Sequence, residues 1–416
     1  MTLLARATAA FVLFAIGTAA ARATFFQPHT TGVVIITLDT TRADRLPAYG
    51  FGGIATPAID SLTARGAVFD DAMSVAPLTL PAHTSLFTGL YPANHGVREN
   101  AGRALDQSHA TLAGILRDHG FQTAAFVGSI VLDRDRGLSR GFEVYDDGRT
   151  EGNDAPKRRC GSDVIDRARA WIDALDRRPF FLWVHLYDVH APQTLPMDVR
   201  RAYGDRYEGG IAYVDTQIAR LLAALERRQL LSNTVVVLAA DHGESLGEHG
   251  EQEHGIFLYQ STLRVPLVIC APGMAARHVT AATSLVDVFP TVLQLLGMAV
   301  HVPHDGISLV PALAGGNLPT RAIYAESLYA AHFGWGPLRM IREGEFKFID
   351  APRPELYDVE RDPEEHQNVA DVHLATASAL YGKLQGMNAD AAAQGVGARL
   401  PPERLQALKA LGYLGR

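Results

Sequence analysis

The chain has 416 residues, 47% hydrophobic and 20% charged, with a formal charge of −7. That length suits one large domain with a smaller one, and the composition is that of a globular protein. The acidic balance argues against a nucleic-acid partner. Two cysteines, Cys160 and Cys270, are too few for a disulfide framework and leave room for one bridge in an oxidising compartment.

Residues 1–23 read apart from the rest. Arg6 is the only charge ahead of an apolar run from Ala7 to Ile16, and Ala21-Arg22-Ala23 offers a small-residue cleavage site before Thr24. This is the pattern of a secretory signal, and it predicts a periplasmic or secreted protein. The run is short for a spanning helix, so no stable membrane span is expected after cleavage. Cleavage removes Arg6 and Arg22 and takes the charge from −7 to −9.

In chain order, Val33–Leu38 is an apolar, β-branched run, the mark of a strand buried on both faces. It stops at Asp39. Thr56 with Pro57 predicts a capped helix through Arg65. Further strands are expected at Thr123–Val127, Phe180–Leu186, Thr234–Ala240 and Val265–Cys270, and helices at Thr111–His119, Ser162–Leu175 and Leu285–Leu296. Asp133–Asp147, charged and glycine-punctuated, is expected at the surface. Ile211, Val214, Ile218, Leu221, Leu222 and Leu225 form one face of a long amphipathic helix and read as core. His185, with apolar strand residues around it, also reads as core. After about residue 320, short strand-like pieces without helical crossovers (Ala322–Ser327, Leu338–Arg342, Phe346–Asp350, Glu355–Asp358) predict a small antiparallel sheet. The tail from Asp371 is helical, then loop-like to its end at Leu408–Gly415.

The strands of the first 300 residues end in acidic or histidine-bearing segments: Asp39, then Asp188 with His190, then Asp241-His242. Doubly wound α/β sheets place ligands at such carboxyl ends. Between the strands lies APLTLPAHTSLFTGLYP, residues 76–92, which places Thr79 in a loop just ahead of a helix N-terminus, where free N–H groups favour an anion. Asp39, Asp241, His242 and the Thr79 oxygen make a first shell for one divalent metal. Mixed carboxylate and imidazole donors favour zinc or manganese, with calcium or magnesium as alternatives. A metal lowers the cost of the threonine alkoxide and neutralises charge on an ester. His83, His190 and His254 are the candidates for gripping ester oxygens or protonating the leaving group. His190 and His254 with Asp188 are the alternative for a second metal, and Asn100 can donate to a substrate oxygen.

These residues resemble the sulfatase branch of the alkaline phosphatase superfamily. The resemblance runs from Val33 to about Ala370, through ITLDTTRAD, the 77–92 segment, TLAGILRDHGFQTAAFVGS, HLYDVHAP, AADHGESLGEHG, LRVPLVI, DGISLVPAL, REGEFKFI and ELYDVERDPEEHQNVA. It implies an α/β fold, alkaline-phosphatase-like: a doubly wound, mainly parallel sheet with a small C-terminal antiparallel-sheet subdomain. The corresponding division is a signal peptide at 1–23, a catalytic domain at 24–320 and the C-terminal subdomain and tail at 321–416.

Sulfatases carry a Cys or Ser, converted to formylglycine, in the pattern C/S-x-P-x-R. Here that pattern reads Thr79-Leu80-Pro81-Ala82-His83. Threonine cannot become formylglycine. The family's GKWH segment has no counterpart, FVGSIV at Phe126–Val131 standing there with neither Lys nor His. The second Asp of its DD pair is Thr40, its Asp-Asn metal pair is Asp241-His242, and its later lysine is His254. These changes resemble nucleotide pyrophosphatase/phosphodiesterases and lipoteichoic-acid synthases, which implies a metal-bound threonine and a covalent phosphothreonine. The expected function is therefore metal-dependent hydrolysis of an anionic ester, a small molecule or one linked to a glycan or lipid, with phosphoesters and phosphodiesters favoured. The alternatives are a sulfuric ester hydrolase, a phosphoryl transferase, and a non-catalytic anion- or metal-binding protein of the same fold.

Overall fold

The structure, a computed structural model, describes residues 30–387 except 151–157, 192, 194 and 205. The signal predicted over residues 1–23 and the tail stretch Leu408–Gly415 lie outside the described residues.

Eight strands form the central sheet: β1 (Gly32–Leu38), β2 (Ala67–Phe69), β3 (Gln122–Val127), β4 (Val144–Asp146), β5 (Phe180–Leu186), β6 (Thr234–Ala240), β7 (Leu267–Cys270) and β8 (Arg277–Val279). Their order across the sheet is β8-β2-β7-β6-β1-β5-β3-β4. β1 lies at the centre, parallel to β5 and β6 on either side. Every residue of β1, β5 and β6 is buried, which is why these strands read as unbroken apolar runs rather than alternating ones. β7 runs antiparallel to β6. The single strand expected over Val265–Cys270 is two: Arg264–Val265 leaves the central sheet to pair with Ala72–Met73, and Leu267–Cys270 remains in it. Pro266 between them has no N–H for a ladder.

The helices follow the predicted faces. The helix Tyr207–Arg227 buries Ile211, Val214, Ile218, Leu221, Leu222 and Leu225. The cap expected from Thr56 comes from elsewhere. The helix Pro57–Thr63 receives no bond from the Thr56 hydroxyl; its free N–H groups at Ala58 and Ile59 donate to the Asp215 carboxylate at 3.2 and 2.8 Å. A carboxylate on another helix supplies the charge that the helix N-terminus favours.

Four strands, β9 (Ile323–Ser327), β10 (Leu338–Glu343), β11 (Phe346–Asp350) and β12 (Glu355–Asp358), form the antiparallel C-terminal sheet in sequence order. The helix Leu374–Met387 covers it with Leu380 and Leu384. These two side chains share a core with Val75, Ala76, Ile341 and Phe348, so the C-terminal sheet packs against the segment that leads into Thr79. Arg98 also forks onto Glu326 of β9 at 2.6 and 2.5 Å, tying in the loop that carries Asn100.

The surface expected over Asp133–Asp147 holds only in part, because Asp133, Arg136 and Asp147 are buried. Burial pushes the Asp147 carboxyl up, but bonds from Arg134 and from the Arg149 amide outweigh it and bring it to about 2. The folded value lies below the ordinary one, so this pair stabilises the fold above about pH 4, and the contribution is lost as pH falls through about 2. Arg134 is 43% exposed, which limits Asp147→Asn to a cost of about 1 kcal/mol at pH 7. Denaturant unfolding of the two proteins at pH 7 should show that gap, and unfolding at pH 2 should show it closed.

Cys160 and Cys270 are both free. Cys270 donates to the Leu62 carbonyl, while Cys160 lies beside the Tyr213 hydroxyl. Among the described residues, no helix is long and apolar enough to cross a membrane.

Candidate active site

Strand register builds the acidic corner. Leu38 pairs with Leu186 on one side and with Ala240 on the other, so the next residues, Asp39 and Asp241, emerge side by side at the carboxyl edge. Their amides continue the ladder, Asp39 N to Leu186 O at 2.9 Å and Asp241 N to Leu38 O at 3.3 Å. The Ser74 hydroxyl holds the Asp241 carbonyl. Between the two strand ends Thr40 adopts φ +50°, uncommon for a β-branched residue. Its amide donates to Asp241 Oδ1 at 3.2 Å and its carbonyl accepts from Tyr207 at 2.5 Å. That pair of bonds holds the tight turn that aims both carboxylates the same way.

Thr79 is the first residue of the helix Thr79–Thr88, not part of the preceding loop. All ten residues of this helix are buried although five carry polar side chains. They are satisfied internally: Thr84 and Thr88 donate back to the carbonyls of Leu80 and Thr84, both at 2.7 Å, and Ser85 meets His95 at 2.9 Å. Asn100 Oδ1 accepts from the Leu80 amide at 2.8 Å. Asn100 thus caps the helix that presents Thr79, and its Nδ2 has no protein partner.

The Thr79 hydroxyl lies 3.4 Å from His242 Nε2. His242 donates from Nδ1 to the Gly243 carbonyl at 2.9 Å, which turns Nε2 toward Thr79 and Asp241 Oδ2. Asp39, Asp241 and His242 bring one donor atom each to within 4.8 Å of one another. Asp39 Oδ1 and Asp241 Oδ2 are buried without a hydrogen-bond partner. Burial pushes Asp39 up to about 7; burial and Asp39 together raise Asp241. Burial alone would lower His242, but Asp241 and Asp39 outweigh it and raise it. Two orphaned carboxylate oxygens, an aimed imidazole and a hydroxyl make a donor set that fits a divalent cation.

His83 stands behind Thr79. Trp183 Nε1 donates to the Thr37 hydroxyl at 2.9 Å, that hydroxyl meets His83 Nε2 at 2.9 Å, and His83 Nδ1 meets the Thr79 carbonyl at 2.8 Å. Burial holds His83 down at about 3, so it is neutral with both nitrogens engaged. The structure therefore corrects the reading of His83 as a group that grips or protonates substrate; it holds the backbone of Thr79. His185, read from the sequence as core, is buried as expected but faces the site, its Nε2 3.2 Å from Asp39 Oδ2 and its Nδ1 accepting from the Gly128 amide at 3.4 Å. Its signal was available: His185 lies one residue before the end of a strand next to β1, hence beside Thr37 in register.

His254 and His190 come in from two loops. The His254 ring is 4.4 Å from that of His242 and 5.1 Å from that of His190. His254 Nδ1 lies 2.8 Å from Glu244 Oε1, and burial pushes Glu244 up to about 8. Glu244 was missed; its only sequence signal is its place three residues after Asp241 in an acidic loop. Asp188 does not join His190 and His254 as a donor set. Its Oδ1 accepts from the Gly161 amide at 3.0 Å, at the start of the helix Gly161–Ala174. Among the described residues, the groups that could share one ion are Asp39, Asp241, His242 and His83, His185, Asp241, and in the second both histidines are already bonded as described.

A family model described as Sulfatase matches residues 31–298, and one described as N-sulphoglucosamine sulphohydrolase, C-terminal, matches 247–388. The choline-sulfatase of Rhizobium meliloti is 27% identical, over 82% of this chain and 83% of that protein. Arylsulfatase K of Mus musculus is 24% identical, over 80% and 75%. Among solved structures, the phosphonate monoester hydrolase of Agrobacterium radiobacter superposes with a TM-score of 0.74 at 24% identity, covering 87% of this chain and 96% of that one. With well over half its length matched by the family model, and with the alkaline-phosphatase-like sheet beneath it, this chain belongs to the sulfatase family and is a sulfatase-like ester hydrolase.

Proposed function

We propose that the protein hydrolyses anionic esters with Thr79 as nucleophile beside one divalent cation, phosphoesters and phosphodiesters before sulfate esters. The observation that carries this reading is the orphaned pair Asp39 Oδ1 and Asp241 Oδ2, buried beside the Thr79 hydroxyl and His242 Nε2. Asp39, Thr79, Asp241 and His242 would hold the cation, and the donor mixture favours zinc or manganese. When bound, it stabilises the threonine alkoxide and neutralises charge on the ester.

Thr79 Oγ1 attacks phosphorus in line, the new P–O bond forming as the ester P–O bond breaks. The hydroxyl proton passes to Asp39, a carboxyl of the same corner whose Oδ1 has no hydrogen-bond partner. Glu244, held protonated to about pH 8, shares a proton with His254 that is available to the departing alcohol, and His190 lies against the same ring. Water then displaces Thr79 from phosphorus, its proton restoring the Glu244–His254 pair while Asp39 returns the other to Thr79. The sum is ester plus water to alcohol plus phosphate for a monoester, or to alcohol plus phosphomonoester for a diester. An alcohol in place of water would make the same site a transferase.

Two considerations favour phosphorus. A phosphomonoester dianion carries more charge than a sulfate ester and gains more from a cation, while a phosphodiester equals the sulfate ester in charge. Threonine also lacks the hydrated aldehyde by which sulfatases eject sulfate. Sulfate-ester hydrolysis is the second reading, supported by choline-sulfatase among the relatives. The signal pattern at 1–23 supports secretion or a periplasmic location. Metal-loaded protein should turn over an aryl phosphodiester with kcat/KM at least about 100-fold above that for the matching aryl sulfate. A faster sulfate reaction would move the assignment to sulfuric esters. Metal binding without turnover of either would leave a binding protein.

A further inference from the structure

Three consecutive residues in the loop after β12 part company. The side chains of Glu364 and His366 are 79% and 66% exposed, whereas Glu365 between them is buried. Glu365 takes φ +58°, in the left-handed region uncommon for a residue with a side chain, so the surrounding structure must hold it there. Its carboxylate is held at both oxygens. Oε1 lies 2.7 Å from Nζ of Lys347 on β11, itself fully buried, and Oε2 accepts from the Gln260 amide at 2.6 Å. Burial pulls the Lys347 ammonium below its ordinary value, and Glu365 opposes that fall.

The Gln260 amide opens the short helix Gln260–Leu263, whose preceding residue offers it no side-chain cap. Glu365, 105 residues further on, supplies one. The far end of this helix grips the acidic corner through two backbone carbonyls. That of Thr262 accepts from the Gly243 amide at 2.7 Å, and the Gly243 carbonyl in turn accepts from His242 Nδ1 at 2.9 Å. That of Leu263 accepts from the Ser74 amide at 2.8 Å, and the Ser74 hydroxyl holds the Asp241 carbonyl. Gly243 approaches the helix so closely that a Cβ there would come within 2.1 Å of the Ser261 carbonyl oxygen. Each bonded link from Lys347 to the His242 ring is thus 2.9 Å or shorter.

We infer that Glu365, balanced by Lys347, is a positioning residue for the metal corner: by capping the helix Gln260–Leu263 it fixes the Gly243 carbonyl that orients the His242 ring and the Ser74 hydroxyl that holds Asp241. The inference rests on the metal-site reading above and adds to it a pair contributed by the C-terminal sheet and the loop after it. A buried ion pair by itself contributes little net stability, because desolvating two charges offsets their attraction, and an apolar pair of similar volume would fill the same space. An apolar pair cannot, however, accept from the Gln260 amide. Partners that orient a ligating imidazole from behind are the groups whose loss weakens metal binding.

The test compares wild type with two double variants that leave no unpaired buried charge. Lys347→Met with Glu365→Gln keeps an acceptor at residue 365, and Lys347→Met with Glu365→Leu has none. Zinc affinity is measured by competition with a chelator, ligand geometry by the visible spectrum of the cobalt-loaded protein, and protection of the Gly243 and Ser74 amides by hydrogen exchange. The leucine pair should bind zinc about 10- to 100-fold more weakly, with an altered cobalt spectrum and faster exchange at Gly243, while the glutamine pair stays within about threefold of wild type. Ile172→Ala, which opens a cavity under the helix Gly161–Ala174, should lower the melting temperature and leave zinc affinity unchanged. Glu365→Asp keeps the charge but withdraws the acceptor by one methylene, so it too should weaken zinc binding. Affinity within about twofold of wild type in the leucine pair, or in Glu365→Asp where that pair does not fold, would overturn the inference. So would an equal loss of affinity in Ile172→Ala, the signature of general loosening. Failure of the metal-site reading is distinct, because Asp241→Asn would then bind zinc as wild type does.

Discussion

Turnover of an aryl phosphodiester by Thr79→Ala should fall by about three to five orders of magnitude, equivalent to about 4–7 kcal/mol of transition-state stabilisation. The substitution removes the only atom that can form the covalent bond while leaving Asp39, Asp241 and His242 where the strand ends hold them. Thr79 lies at the first position of its helix, and the Leu80 amide keeps its bond to Asn100. The variant should therefore melt within a few degrees of wild type and still bind metal. Thr79→Ser keeps the oxygen and should retain measurable turnover, reduced because the methyl group that fixes the hydroxyl rotamer is gone. Intact mass after rapid quenching of an aryl phosphomonoester reaction should show about 80 Da added to wild type and to Thr79→Ser, and none to Thr79→Ala; a phosphodiester adds the mass of its retained ester group as well. Equal turnover in Thr79→Ala and wild type would remove Thr79 as nucleophile.

Chelation followed by metal return is the second large effect. Asp241 sits one ladder step from Asp39; burial raises both carboxyls above their ordinary value, and the Asp39 charge adds to the rise at Asp241. A bound cation relieves that repulsion, so zinc or manganese at 100 times its dissociation constant should stabilise the chelated protein by about 2.7 kcal/mol. That stabilisation reads as a rise in melting temperature together with return of activity. Asp241→Asn removes one anionic donor and the repulsion at once. The chelated variant should melt no lower than chelated wild type, the metal-induced rise should shrink to a small fraction, and kcat/KM should fall by at least about 1000-fold. A metal-dependent rise of the same size in Asp241→Asn would exclude this corner as the metal site.

His83 shows how the two levels of evidence divide. Its place four residues after Thr79, where the family pattern has arginine, makes a substrate contact the natural expectation. On a helix, however, residues four apart stack on one face. With the helix wholly buried, that face looks back toward Trp183 and Thr37, and the ring bonds the carbonyl of Thr79 rather than anything beyond its hydroxyl. His185 is the converse. An apolar strand hides it in the sequence, yet register with Thr37 delivers it to Asp39.

What the sequence by itself determined is the sheet and the acidic edge. Strands buried on both faces must be continuous apolar runs, and the runs stop where charge begins, so Asp39, Asp241 and His242 were legible as strand-end residues before any contact was known. The small C-terminal sheet was legible for the same reason, from short runs without crossover helices. Only the tertiary structure decided which way each side chain faces and who its partner is: Asp215 rather than Thr56 at a helix start, Asp188 drawn to Gly161, Glu244 under His254, and Arg158 against Tyr187. Periodicity records burial, which is a property of one segment. A hydrogen bond or a metal shell is a property of segments that here lie as far as 201 and 228 residues apart, and nothing local in the chain encodes the distance between them.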